Sequence, residues 1–221
     1  MRITLPSGTP AEIATPTSGS ASLGLVIAVD IFGLRPLYDE MAQRLADEWN
    51  MTVCAVEPFP GRDLGNDFEA RYRAVRDIGD DDNLRDLVEA ADATGCATVN
   101  LLGYCLGGMY CHKAARSDRF ARIVSFYGMI RLPEAWQGAG QAEPLGILHN
   151  GHSTRVLAIV GGLDTYTPAA DVDALVDTGV TVVLYPEASH AFAHDATHQA
   201  HRRDDAVDAY DRALQWLRAH A

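Results

Sequence analysis

Two hydrophobic rhythms alternate along the chain. Short, nearly continuous apolar runs rich in β-branched residues recur at Leu23–Val29 ("LGLVIAV"), Met51–Pro58 ("MTVCAVEP"), Ala97–Gly103 ("ATVNLLG"), Ala121–Gly128 ("ARIVSFYG"), Arg155–Gly162 ("RVLAIVGG") and Val180–Pro186 ("VTVVLYP"). Runs of this kind predict strands buried on both faces. Between them lie stretches with helical spacing: Pro36–Trp49 with proline in the first turn, Asn66–Ile78, Asp82–Gly95, Gly107–Ser117, and a helix starting near Pro168. The amphipathic stretch Asp204–His220 predicts a closing helix. At the start, "RITL", "PSGTP" and "AEIAT" predict a hairpin, followed by the polar loop "TSGSAS". Residues Arg131–Thr154 show little periodicity and predict a loop. Strands alternating with helices imply one α/β domain over residues 1–221, built on a mostly parallel sheet with helices on both faces and an N-terminal hairpin.

Composition narrows the function. The net charge of -12 repels phosphate backbones and argues against nucleic acid. No run reaches the ~18 apolar residues of a membrane helix. The N-terminal stretch lacks a signal-peptide apolar region, so the reading places the protein in the cytoplasm, as a monomer or homodimer. Cys54, Cys96, Cys105 and Cys111 form no Cys-x-x-Cys pair and read as reduced thiols.

The most informative stretch is Gly103-Tyr104-Cys105-Leu106-Gly107. A buried strand precedes it and a helix follows. A Gly-x-nucleophile-x-Gly pattern at such a junction makes the tight elbow of α/β-hydrolases, where crowding leaves no room for a Cβ at the flanking positions. The helix N-terminus beyond Cys105 favours a thiolate, and the Leu106 N–H is placed to hold an oxyanion. The fold then requires an acid and a histidine later in the chain, in that order. Asp164 follows the strand Arg155–Gly162, and His190 follows the strand Val180–Pro186. Both loops leave carboxyl ends of strands, where open α/β sheets gather their sites. Singly, Cys105 reads as a buried cysteine, Asp164 as a turn residue beside the cap candidate Thr167, and His190 as a solvated loop residue. Their order joins them into a Cys-Asp-His triad.

With these residues in place, the chain resembles the dienelactone hydrolase family. "GYCLGG" carries the resemblance, together with "DIFG" (similar to the family's Glu-Ile-Phe-Gly), "FYG" at Phe126–Gly128 and "ASHAF" at Ala188–Phe192. It runs from Leu23 to the last helix. It implies an α/β-hydrolase fold and cleavage of a small ester or lactone through an acyl-thiol intermediate. It also implies oxyanion-holding N–H groups on Leu106 and Ile31, and no metal or organic cofactor. Three positions depart from the family pattern. Asp30 stands where the family has a glutamate that contacts the resting thiol, which makes Asp30 a candidate modulator of Cys105. His194 and Phe68 stand where the family has substrate-binding arginines, the second if Tyr72 is the matching tyrosine. Arg71 and Arg73 lie near but face elsewhere on a helix. The expected substrate is therefore a neutral ester or lactone, in a pocket lined by Phe32, Tyr72, Tyr127 and His194.

Two other readings compete. His190, His194, His198 and His201 recur at near-helical spacing, as zinc ligands do, but without the acidic partner of a His-Glu-x-x-His site. A non-catalytic or redox-responsive thiol protein has no need of an aligned base and acid, and Cys111, six positions beyond Cys105, is poorly placed to pair with it.

Overall fold

The computed structural model describes residues 1–219. Eight strands form one sheet in the order β1-β2-β4-β3-β5-β6-β7-β8. They are β1 (Arg2–Thr4), β2 (Pro10–Ala14), β3 (Leu23–Ala28), β4 (Met51–Val56), β5 (Thr98–Tyr104), β6 (Phe120–Phe126), β7 (Val156–Gly161) and β8 (Thr181–Tyr185). The β1–β2 hairpin is antiparallel and joins β4 through β2. The strand pairs from β4 through β8 are parallel. The helices are α1 (Pro36–Trp49), α2 (Phe68–Ala74), α3 (Asp80–Ala93), α4 (Leu106–Ala114), α5 (Pro144–Asn150), α6 (Ala169–Asp177) and α7 (Arg203–Arg218).

The continuous apolar runs follow from a sheet covered twice. In β3, Val26 and Ala28 face the core beneath α3 and α4, whereas Leu25 and Ile27 face the core beneath α1 and α7. The same split divides Val99 and Leu101 from Leu102 and Tyr104 in β5. Alternate positions point to opposite faces, and here both faces are dry.

Three elements differ from the sequence reading. The stretch Arg131–Thr154 is not simply a loop: it holds 3-10 turns at Glu134–Trp136 and Ser153–Arg155, and α5 between them. Helix α5 is seven residues long, too short to print a period, yet Pro144 starts it and Pro144, Leu145 and Leu148 are buried. The helix expected over Asn66–Ile78 begins later, because Asp67 caps it by accepting from the Glu69 and Ala70 N–H groups. It then tightens into a 3-10 turn at Val75–Asp77. Helix α4 starts at Leu106 and ends at Ala114, where Gly107–Ser117 was expected. The predicted end of the last helix at His220 lies outside the described residues. No helix among the described residues is long and apolar enough to cross a membrane.

Candidate active site

The carboxyl ends of successive parallel strands deliver the candidate residues to one crevice. Asp30 follows β3, Cys105 follows β5, Tyr127 follows β6, Asp164 follows β7 and His190 follows β8. The crevice opens into a pocket of about 670 Å³, a volume suited to a small organic ligand.

The elbow is built by enforced closeness. Cys105 sits at φ 54 and ψ -115, a conformation side chains rarely adopt, between the last residue of β5 and the first of α4. A Cβ at Gly107 would lie 1.9 Å from the Ala28 carbonyl oxygen, and one at Gly103 would lie 2.4 Å from the Gly107 carbonyl oxygen. Only glycine fits at either place. Cys105 donates its N–H to the Phe126 carbonyl at 3.1 Å, which ties the turn to β6. Leu106 opens the helix, so its N–H has no carbonyl one turn back within α4.

The facing loop after β3 is pinned residue by residue. The Asp30 N–H donates to the Tyr38 hydroxyl at 2.9 Å, and the Phe32 N–H to the Asp30 carboxylate at 2.9 Å. The Gly33 N–H donates to the Asp30 carbonyl at 3.1 Å, and the Leu34 N–H to Glu57 at 2.8 Å. Arg71, expected to face elsewhere, instead reaches this loop and donates to the Ile31 carbonyl at 3.2 Å, and to the Gly65 carbonyl at 2.7 Å. The N–H groups on both sides of Ile31 are thus committed within the protein, and Ile31 itself lines the pocket beside Cys105.

Asp164 and His190 meet across the β7 and β8 loops. The loops are drawn together by donation from Gly162 N–H to the Tyr185 carbonyl at 2.8 Å and from Leu163 N–H to the Ala188 carbonyl at 2.9 Å. His190 Nδ1 lies 2.8 Å from Asp164 Oδ2, and the Tyr166 N–H donates to Asp164 Oδ1 at 2.8 Å. The Asp164 side chain is fully buried. His190 Nε2 is also buried and makes no hydrogen bond of ordinary length. The Cys105 sulfur is nevertheless near enough to act on the ring. Burial opposes protonation of His190 most strongly, but the charge of Cys105 and the hydrogen bond to Asp164 outweigh it and push the imidazole up to about 10. An imidazole oriented by a carboxylate on one nitrogen, with its other nitrogen turned to a thiol, can take a proton from sulfur and return it to a leaving group.

A second histidine network lies next to this one. The buried His194 has Nδ1 2.6 Å from the Tyr127 hydroxyl and Nε2 2.9 Å from Asp30 Oδ2. Arg35 grips the same Asp30 with two bonds, at 2.6 and 2.8 Å. Burial works to raise the Asp30 pKa, but bonds from His194 and Arg35 overcome it and hold the carboxyl well below the usual carboxylate range. The structure thus turns Asp30 toward Arg35 and His194, where the sequence reading had aimed it at the Cys105 thiol. Both nitrogens of His194 are occupied inside the protein, although the residue lines the pocket.

Tyr127 requires a correction. It is fully buried at φ 40 and does not line the pocket. Its ring packs edge-on against His190 at 5.2 Å and its hydroxyl holds His194, so it lies behind both imidazoles. Phe32, Tyr72 and His194 do line the pocket. Sequence reasoning missed Arg35, Trp136 and Tyr166 there. Arg35 stands five residues past Asp30 across the turn at Gly33, and Tyr166 two residues past Asp164. Proximity to those acids was the only signal available. Cys111 is fully buried, and burial pushes its thiol well up, which suits a core residue rather than a redox partner. Among the described residues no three His, Cys, Asp or Glu side chains cluster so as to hold a metal ion.

The dienelactone hydrolase family model matches residues 10–221. The chain belongs to the dienelactone hydrolase family. It is 25% identical over 227 residues to the carboxymethylenebutenolidase of Pseudomonas putida, covering 95% of this chain and 88% of that one. It is 27% identical over 233 residues to a Yersinia pestis protein provisionally named a carboxymethylenebutenolidase, covering 96% of this chain and 84% of the other. A crystal structure from Klebsiella pneumoniae subsp. pneumoniae MGH 78578, provisionally named a dienelactone hydrolase, superposes with a TM-score of 0.86 at 25% identity, covering 100% of this chain and 98% of that one. The chain is thus a member of a hydrolase family with an α/β-hydrolase fold, a mostly parallel sheet with an N-terminal hairpin.

Proposed function

We propose that the protein cleaves neutral carboxylic esters or lactones with Cys105 as nucleophile, His190 as acid and base, and Asp164 as the group that orients His190. The observation that carries this reading is the position of Cys105 at a left-handed elbow, with the unbonded Nε2 of a carboxylate-held histidine turned toward it. The Cys105 thiolate attacks the carbonyl carbon, and the carbon–oxygen π pair moves onto oxygen, where the Leu106 and Ile31 N–H groups receive it. Collapse of this oxyanion breaks the bond to the alcohol oxygen, which takes the proton from His190 Nε2 and leaves a thioester on Cys105. A water then gives its proton to His190 and attacks the thioester. The second collapse expels the thiolate and yields the carboxylic acid. Every charge in this sequence is carried by sulfur, imidazole or oxygen already present.

The uncharged-substrate part rests on the pocket's own charges. Arg35 is the one arginine or lysine among the lining residues, and it is already bidentate on Asp30. Asp195 lines the same pocket and acts electrostatically on Arg35. A substrate carboxylate meets a cation that is already neutralised.

The test is to trap the acyl-enzyme. Rapid quenching after mixing with 4-nitrophenyl acetate is expected to leave an acetyl group on Cys105, located by mass spectrometry of the digested protein. Cys105→Ala is expected to lose hydrolysis by about a thousandfold or more. Full activity in the alanine variant, or acetyl found on another residue, overturns the reading.

A further inference from the structure

Four aromatic rings run in file along one side of the pocket, and nothing in the reaction above uses them. Phe32 stands 6.1 Å from Phe68, Phe68 stands 5.6 Å from Tyr72, and Tyr72 stands 5.3 Å from Trp136. All four line the pocket that contains Cys105. They come from three separate segments: the loop after β3, helix α2, and the 3-10 turn at Glu134–Trp136. The two ends of the file differ. Trp136 is buried at 2% exposure, while Phe32 and Phe68 are 37% and 40% exposed. The inner end is packed. The outer end shows bare ring surface to solvent, in the pocket that Cys105 also lines. Exposed aromatic surface inside a concave site is what a ligand ring covers at a gain.

The place left for the acyl group follows from the elbow. A tetrahedral carbon on Cys105 carries four groups: the sulfur, the oxyanion, the leaving oxygen and the acyl carbon. The oxyanion points to Leu106 and Ile31. The leaving oxygen must face His190, the proton donor, and on that side stands Tyr166, with its ring 4.8 Å from the imidazole. The acyl group takes the remaining direction, and the file from Phe32 to Trp136 is the aromatic wall that the same pocket offers it.

We infer that the Phe32–Phe68–Tyr72–Trp136 file is an acyl-group subsite, and that the preferred substrates are esters of uncharged arylacetic-type acids, whose ring stacks against Phe68 and Tyr72. The inference rests on the hydrolase reading above for its acyl assignment. Stacking and edge contacts between rings favour an aromatic acyl group over a saturated one of the same size, because the ring quadrupoles add to what area alone supplies. The pocket holds such a group with room to spare, at about 670 Å³.

The experiment compares three esters on the intact protein. Methyl phenylacetate and benzyl acetate are isomers with alkoxide leaving groups, and they place the same ring on opposite sides of the carbonyl. Methyl cyclohexylacetate keeps the carbon skeleton of the first and removes its aromaticity. The expected kcat/KM for methyl phenylacetate exceeds that for either of the others by about tenfold, the factor that one or two ring contacts supply. In Phe68→Leu, which keeps apolar bulk at a half-exposed site and removes the ring, the phenyl-to-cyclohexyl ratio is expected to fall toward one. Equal rates for the phenyl and cyclohexyl esters, a preference for benzyl acetate, or a ratio unchanged by Phe68→Leu would each overturn the subsite. Binding of methyl phenylacetate and methyl cyclohexylacetate to Cys105→Ala, measured by calorimetry, separates the two proposals. If no ester is hydrolysed but the phenyl compound binds about tenfold more tightly, the subsite stands and the hydrolase reading falls. If neither hydrolysis nor binding shows the preference, the subsite falls with it.

Discussion

Two histidines sit side by side in this crevice, each held by a buried aspartate, and only one leaves a ring nitrogen without a hydrogen bond. His190 gives Nδ1 to Asp164 and leaves Nε2 without a partner, facing Cys105. His194 gives one nitrogen to Asp30 and the other to the Tyr127 hydroxyl. The residue types are alike, and His194 is the deeper of the two, with its side chain 5% exposed against 20% for His190. What separates them is a single unoccupied nitrogen. A histidine with both nitrogens engaged is a strut, and here it clamps the loop carrying Ile31 to the strand end carrying Tyr127. The lesson is that a carboxylate–histidine pair becomes chemical only when its far side is left open toward a reacting atom.

The largest expected effect comes from exchanging one histidine at a time. His190→Gln is expected to lower kcat about a thousandfold or more for a simple neutral ester, in line with loss of a triad base. His194→Gln is expected to cost no more than about tenfold, as loss of a positioning group does. Steady-state kinetics on both variants settles the comparison, and equal losses would erase the distinction drawn between them.

A smaller effect tests the charges around the strut. Dimethyl succinate and the monomethyl succinate anion differ in one charge far from the reacting carbonyl. The neutral diester is expected to be preferred by kcat/KM on the order of tens of fold, since Arg35 is already committed to Asp30. Asp195→Asn, which removes one of the carboxylates acting on Arg35, is expected to narrow that gap. Preference for the anion in the wild type would show that Arg35 leaves Asp30 for the substrate.

The smallest effect is on stability, and its sign differs between His190 and the fully buried His112. His190 is pushed up to about 10 from an ordinary value of 6.5. A raised folded value means the folded state holds its proton more tightly, so this stabilisation is full below pH 6.5 and is lost as pH rises toward 10. His112, fully buried with Nε2 3.1 Å from the Ser125 hydroxyl, is lowered by burial to about 4. Its contribution is full above pH 6.5 and is lost as pH falls toward 4. Urea midpoints across pH 4–10 are expected to show His190→Gln removing part of the alkaline decline. His112→Gln is expected to remove part of the acid decline. A wild-type midpoint flat from pH 6.5 to 10 would contradict the His190 assignment.

Much of this arrangement is legible in the chain because local rules carry it. The strands announce themselves as unbroken apolar runs, since both faces of the sheet are covered. The elbow around Cys105 is legible because positions 103 and 107 must be glycine, and the meeting of Asp164 with His190 because each follows a strand end. What escapes is decided by side-chain direction after a turn. Tyr127 looks like a pocket residue in "FYG", but its positive φ turns it inward behind both imidazoles. Asp30 follows a strand that ends beside the elbow, yet its carboxylate is claimed by Arg35, which a six-residue turn returns to it. Trp136 enters the pocket from a stretch too short and too broken by glycine to show a period. Partnerships between residues that only a turn brings together leave no rhythm to read.

The contact between Gly107 and the Ala28 carbonyl acts as a mechanical stop. Ala28 and Gly103 are paired in register on neighbouring strands, and the helix after Cys105 is pressed against the end of β3 until backbone meets backbone. The separation between the sulfur and the loop of Ile31 is therefore gauged by hard atoms, not by side chains that mutation can lengthen or trim. Phe68, half exposed on a short helix at the rim, rests against no such stop. Over evolutionary time a molecule made this way can exchange its rim residues while the spacing between Cys105 and the Ile31 loop stays where the two backbones hold it.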